Sequence, residues 1–270
     1  MKPKALILHA AGTNRDGDAA YALAAAGADP RIVHVKALKE DRKLFSDASI
    51  LLVPGGFSYA DALGAGRLFA LDMASYFREE IGAFVASGKP VIGICNGFQA
   101  LVKAGILPGW PGRRGIPATL APNEKGRFEC RWVALEANPA SPCVWTRGLD
   151  ELFSCPVAHG EGRFLLEDSE AEKRLLEAGQ IALVYARPGG GRADGAYPFN
   201  PNGSAMDIAG ICNPAGNVLG LMPHPENNVR CASGEGSGAR PSRKSRAPAG
   251  GRLGAGLELF KRGVAYARGL

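Results

Sequence analysis

The chain has 270 residues, 46% of them hydrophobic, and a formal net charge of +6. That suits a soluble globular protein of one large or two small domains with a sizeable core, and no stretch approaches the length of a membrane-spanning helix. The positive charge is not an argument for nucleic-acid binding, because residues 230–252 hold six basic side chains against one acid, Glu235, and the rest of the chain is nearly neutral.

The elements follow in order. Lys4–His9 reads as a first strand, and Ala11-Gly12-Thr13-Asn14 as a turn with capping residues. Asp16–Ala26 is alanine-rich and helical, stopped by Gly27. Arg31–Val35 and Ser49–Val53 are strands, the latter ended by Pro54-Gly55-Gly56. Leu63–Ser87 is mostly helical, with Gly88-Lys89-Pro90 as its stop signal. Val91–Ile94 is a buried strand, and Phe98–Ala104 a helix. The alternation predicts an α/β fold, a doubly wound and mostly parallel sheet whose ligands sit at the carboxyl ends of the strands.

The second half is less regular. Arg127–Leu135 and Cys155–Ala158 read as strands of an antiparallel section. Asp168 caps a helix to Ala178, and Ile181–Tyr185 is a further strand. Arg187–Gly203 is a long loop; its Gly189-Gly190-Gly191 run precedes no helix and so makes no phosphate cradle. Ala205–Cys212 and Val218–Leu221 form a hairpin about Asn213–Asn217. The Gly-, Ser-, Arg- and Pro-rich stretch is a flexible basic insertion at 230–252, and Leu253–Tyr266 closes the chain as a helix. The whole is expected to be a single domain over 1–270.

Chemistry concentrates in Gly93-Ile94-Cys95-Asn96-Gly97, a strand–turn–helix with cysteine where a nucleophile elbow holds serine. The glycines on either side admit a turn too tight for a Cβ. The turn presents the Cys95 sulfur and the Asn96 N–H, an oxyanion donor, and the helix N-terminus favours a thiolate. None of the six cysteines has Cys-x-x-Cys spacing, so a zinc ribbon is not expected, and without a secretory signal the thiols should be reduced in a cytoplasm.

A cysteine nucleophile needs a base and a group to orient it. Of four histidines, His34 lies within a strand and His9 ends one, leaving His159 and His224. His224 follows an apolar strand and has Glu226 two residues on, with Pro225 fixing the backbone between them. In an extended segment the two side chains share a face, which gives a Cys95, His224, Glu226 triad. The second oxyanion donor is expected from Gly55-Gly56-Phe57, which lacks the Lys of a phosphate loop.

Four segments together resemble one family: Pro54-Gly55-Gly56-Phe57-Ser58-Tyr59, Gly93–Gln99, Pro156-Val157-Ala158-His159-Gly160-Glu161-Gly162 and Met222-Pro223-His224-Pro225-Glu226. The family is the glutaminase subunit of phosphoribosylformylglycinamidine synthase, within the class I (triad) glutamine amidotransferases. The resemblance implies attack of Cys95 on the side-chain amide of glutamine, proton transfer by His224 and orientation of His224 by Glu226. It implies an oxyanion held by Gly56 or Phe57 with Asn96, and a substrate site built from Gln99, His159, Gly160 and Glu161. Ammonia would pass to a synthetase subunit, where ATP and Mg act on formylglycinamide ribonucleotide; a third small subunit is left open. No cofactor and no metal are implied in this chain, nor a nucleic-acid or membrane partner. Ala60 departs from the family, which usually has Gly there. The basic segment could contact the synthetase or its anionic ligands, or be a solvated insertion.

Two other readings stand beside this one: a stand-alone cysteine hydrolase or peptidase of the same superfamily, and a regulatory subunit that has lost catalysis. Ammonia release from glutamine separates them.

Overall fold

The computed structural model describes residues 1–110, 112, 115–149, 152–229 and 254–270. The basic segment 230–252, with Cys231, lies outside the described residues.

The chain runs β1 (Lys4–His9), α1 (Asp16–Ala25), β2 (Asp29–His34), α2 (Val35–Glu40), α3 (Lys43–Asp47), β3 (Ile50–Val53), α4 (Arg67–Tyr76), α5 (Arg78–Ala86), β4 (Val91–Ile94) and α6 (Asn96–Lys103). It continues through β5 (Ala118–Ala121), β6 (Glu129–Ala137), β7 (Phe153–His159), β8 (Arg163–Leu166), α7 (Ser169–Glu177), β9 (Ile181–Ala186), β10 (Ile208–Cys212), β11 (Val218–Leu221) and α8 (Gly256–Arg268).

Nine strands form one sheet in the order β2-β1-β3-β4-β11-β10-β9-β6-β7. From β2 to β11 neighbours are parallel; from β11 to β7 they are antiparallel. β3, β4 and β11 are buried at every residue, which is why they read as unbroken apolar runs. The change of direction comes from the β10–β11 hairpin, whose return strand pairs in parallel with β4.

The strand order steps one way from β1 to β2 and the other way from β3 to β4. Right-handed crossovers then put α1 on one face of the sheet and α4 and α5 on the other. The reversal leaves a crevice at the carboxyl ends of β1, β3 and β4. The turns after these three strands hold Gly12-Thr13, Gly55-Gly56 and Cys95.

Several boundaries differ from the sequence reading. Val35 begins α2 rather than ending a strand, because the His34 imidazole accepts from the Lys36 N–H and caps that helix. The expected long helix after Leu63 is two, broken at Phe77. α6 starts at Asn96, directly after Cys95, rather than at Phe98. The two-stranded sheet of β5 and β8 was not legible in either segment alone. The Asp168 carboxylate does cap α7, accepting from Ala171 N–H at 2.7 Å.

Candidate active site

Cys95 sits at the elbow with φ 51° and ψ −105°, a strained conformation for a side chain with a Cβ. It is forced by close packing on both sides. A Cβ on Gly97 would lie 1.9 Å from the Val53 carbonyl oxygen, and one on Gly93 would meet the Gly97 oxygen and the Leu101 side chain. The Cys95 N–H donates to the Leu221 carbonyl at 2.8 Å, tying the turn to β11. The Asn96 N–H lies in the first turn of α6 and takes no partner within the helix. Cys95 is 5% exposed, and its sulfur lies 3.8 Å from the Ala158 carbonyl oxygen.

His224 reaches this sulfur from the turn after β11. A Cβ on Gly55 would lie 2.9 Å from His224 Cε1 and 3.5 Å from Cys95 Cβ, so the absence of a side chain at Gly55 leaves the space in which the ring and Cys95 meet. Glu226 Oε1 is 2.6 Å from His224 Nδ1. The contact does not arise from an extended segment. Pro225 opens a short 3₁₀ turn over Pro225–Asn228, its fixed φ suiting a helical first position, and that turn folds Glu226 back onto the ring. The His224 N–H donates to the Pro156 carbonyl at 2.8 Å, which holds the turn against β7. Burial opposes the charged form of His224, yet the Glu226 carboxylate and the neighbouring Cys95 outweigh it and push its pKa up to about 10. Among the described residues His224 Nε2 has no nitrogen or oxygen partner; the group beside the ring is Cys95.

The remaining residues of the sequence reading are placed as follows. The Phe57 N–H donates to the Gly12 carbonyl at 3.1 Å, so it is already engaged, and the Phe57 ring is 46% exposed. Gln99 is buried; its amide accepts from the Asn96 side chain and donates to the Glu161 carbonyl. A bond from Gln99 to a substrate would have to displace one of these. Glu161 turns away from His159 and accepts from the Ala65 N–H at 3.2 Å. His159 is buried, with Nδ1 3.1 Å from Asn123 Oδ1. Burial, with the charge on His224, pushes its pKa down to about 3. His9 and His34 stand outside the site; His9 pairs with Asp16 at 2.7 Å.

Three residues that the sequence reading did not single out build the walls. Ser58 donates to the Asn96 side-chain oxygen from both its N–H and its hydroxyl. Asp61 accepts from the Asn96 amide at 2.9 Å. Asn123 binds the His159 loop through its amide and its backbone. Ser58 was within a quoted motif and Asp61 ends the Ser-Tyr-Gly-Asp pattern usual in the family; nothing in the local sequence marks Asn123. The segment between Phe57 and Gly66 is strained, with Tyr59, Ala60, Asp61 and Leu63 all at positive φ. Ala60, at φ 54°, occupies a conformation that explains the glycine usual there.

Among the described residues no group of His, Cys, Asp and Glu is arranged to hold a metal ion, and no helix is long and apolar enough to cross a membrane. The five described cysteines are free thiols.

Comparison with known proteins agrees with this geometry. A family model, the CobB/CobQ-like glutamine amidotransferase domain, matches residues 2–267. The phosphoribosylformylglycinamidine synthase subunit PurQ of Treponema denticola is 58% identical over 242 residues, covering 85% of this chain and 89% of its own. The subunit of the same name from Dehalococcoides mccartyi is 44% identical over 269 residues, covering 99% and 98%. A solved structure described as PurLQS from Thermotoga maritima matches with a TM-score of 0.70 at 32% identity, over 98% of this chain and 99% of that one. A strand–turn–helix cysteine facing a His–Glu pair, on a sheet that is parallel from β2 to β11, in a chain these relatives match over most of its length, leaves one assignment: the chain belongs to the PurQ glutaminase-subunit family of phosphoribosylformylglycinamidine synthase, within the class I glutamine amidotransferases.

Proposed function

We propose that this chain hydrolyses glutamine to glutamate and ammonia through a thioester on Cys95, and that the ammonia is used by a synthetase subunit to convert formylglycinamide ribonucleotide to formylglycinamidine ribonucleotide. The observation that carries the reading is the His224 imidazole, held at 2.6 Å by Glu226 on one side and flanked by Cys95 on the other.

The chemistry follows from the charges. The thiolate is the nucleophile, and a protonated His224 supplies its counter-charge. Attack on the side-chain carbon of glutamine forms a tetrahedral oxyanion. The Asn96 N–H and, since Phe57 is engaged, the Gly56 N–H are the donors assigned to it; losing one such donor typically costs about 10²–10³ in rate. His224 Nε2 gives its proton to the leaving nitrogen as the C–N bond breaks, and ammonia departs. The neutral ring then accepts a proton from water, which attacks the thioester and releases glutamate with the thiolate restored. Gln99, His159, Gly160 and Glu161 are read as the substrate side of the pocket.

We read residues 1–270 as one amidotransferase domain, a reading supported by the family match over 2–267 and by the single nine-stranded sheet. ATP and Mg belong to the synthetase partner, and the setting is the cytoplasm. The peptidase and regulatory alternatives gain no support from relatives that carry the name of a synthase subunit.

The test is glutamate release from glutamine by the chain with its synthetase subunit, ATP and formylglycinamide ribonucleotide, beside a Cys95→Ala variant. Turnover by the native chain should fall to background in the variant. Binding of the partner without any glutamine hydrolysis would sink the reading.

A further inference from the structure

The turn that carries His224 and Glu226 lies along the free edge of the sheet. β7 is the last of the nine strands and pairs only with β6. In an antiparallel ladder alternate residues turn their backbone groups away from the partner strand. Three carbonyls at alternate positions of β7 meet the site in this way. That of Ser154 accepts from the Asn228 side-chain amide at 2.6 Å, that of Pro156 accepts from the His224 N–H at 2.8 Å, and that of Ala158 lies 3.8 Å from the Cys95 sulfur. Pro156 has no N–H to offer, which suits it to an edge strand. Outward carbonyls stand about 7 Å apart, since a strand rises about 3.4 Å per residue. One strand therefore registers Cys95, His224 and the end of the turn against each other.

The Glu226 contact cannot do this. It orients the ring within the turn, because both side chains ride on the same few residues, and leaves open where the turn stands relative to Cys95. The entry to the turn is fixed by β11, which pairs with β4 directly before the elbow. The exit is held by Asn228, which is buried. Its amide donates to Ser154, and its Oδ1 accepts from the Gly254 N–H at 2.9 Å, just before α8. Reversing the carboxamide would set a donor on a donor and an oxygen on an oxygen. α8 backs the turn closely: a Cβ on Gly256 would lie 2.1 Å from the Pro225 carbonyl oxygen and 3.0 Å from that of Asn228.

Resting on the glutaminase reading, we propose that Asn228 is a positioning residue for that reaction: by tying the exit of the turn to the Ser154 carbonyl and to the start of α8, it holds the His224 ring where it can exchange a proton at Cys95. Asn228 acts through His224 and not on the substrate.

The experiment uses the full chain with its synthetase subunit, ATP and formylglycinamide ribonucleotide, and compares it with Asn228→Asp. The aspartate has nearly the same shape and still accepts from Gly254, but its carboxylate has no hydrogen for Ser154. Its kcat for glutamate release should fall about tenfold, the scale of one hydrogen bond, with KM for glutamine within about twofold. Asn228→Ala, which adds no charge, should lose at least as much. Alkylation of Cys95 by iodoacetamide at pH 7, read on its peptide by mass, should slow in both variants, because the sulfur loses its positioned counter-charge. If kcat or the alkylation rate keeps its native value while the thermal midpoint falls, Asn228 is structural and the proposal is overturned. A rise in KM at constant kcat, or failure of the near-isosteric aspartate variant to fold, overturns it too. Each of these outcomes leaves the glutaminase reading intact. A native chain that never hydrolyses glutamine overturns that reading, and this inference with it.

Discussion

Two segments of this chain carry the same spacing, His159-Gly160-Glu161 and His224-Pro225-Glu226, and the fold uses them in opposite ways. Both histidines are 3% exposed, so burial weighs on them alike. In the second segment Pro225 starts a turn that brings the carboxylate to 2.6 Å from the ring, and the pKa rises to about 10. In the first, β7 runs extended to His159, Glu161 leaves for the Ala65 N–H, and the ring meets an amide oxygen instead. With no carboxylate to offset burial, its pKa falls to about 3. The spacing of a histidine and a glutamate therefore says little about charge; the direction in which the carboxylate leaves the backbone says most of it.

The largest test of this contrast removes the carboxylate from the charged segment. Glu226→Gln should lower kcat/KM on glutamine by about 10³–10⁴, the scale seen when the orienting acid of a triad is neutralised, measured as glutamate release. The same loss from Glu161→Gln would break the comparison.

Next in size is Gly162→Ala. The new Cβ falls on the His159 ring, which must move or strain, at a cost of about 1–3 kcal/mol in denaturant unfolding and with a changed His159 ¹⁵N signal. An unaltered midpoint and signal would show that the ring is not confined as described.

The two histidines should also leave opposite marks on stability as pH changes. His224 holds a proton in the folded state that the unfolded chain releases above about pH 6.5, so its contribution is full below that value and is lost as pH rises toward about 10. His159 stays neutral when folded while the unfolded chain takes up a proton, so its contribution falls as pH drops from about 6.5 toward about 3. In Tm measured against pH, Glu226→Gln should flatten the alkaline limb and His159→Phe the acid limb. A single variant that flattened both limbs would refute the assignment.

The smallest effect concerns the strained loop that receives Glu161. Ala60→Gly relieves a left-handed residue but loosens the unfolded chain, for a net gain of about 0.5–1 kcal/mol. A shifted denaturant midpoint at unchanged slope would report it; a loss of stability would mean that the Ala60 methyl makes packing contacts worth more than the strain.

The elbow and the central strands were legible because their signals are local. Gly93 and Gly97 are dictated by contacts across one tight turn, and β3, β4 and β11 are apolar because both faces are covered. Cys95, His224 and Glu226 were nameable as candidates for the same reason, though the extended geometry expected for His224 and Glu226 gave way to a 3₁₀ turn. The walls of the site were not legible. Asn123 lies 36 residues from His159, and Asp61 lies 35 residues from Asn96; no pattern of spacing announces either pair.

The sequence by itself therefore pointed to Cys95 and His224 as candidates and determined the parallel core and, through its motifs, the family. Only the tertiary structure decided that Phe57 has its N–H engaged, that Gln99 spends both ends of its amide inside the fold, and that one buried histidine is charged and the other neutral. The reason is physical. A residue's identity limits which bonds and charges it can carry, while the groups that reach it across the fold select among them.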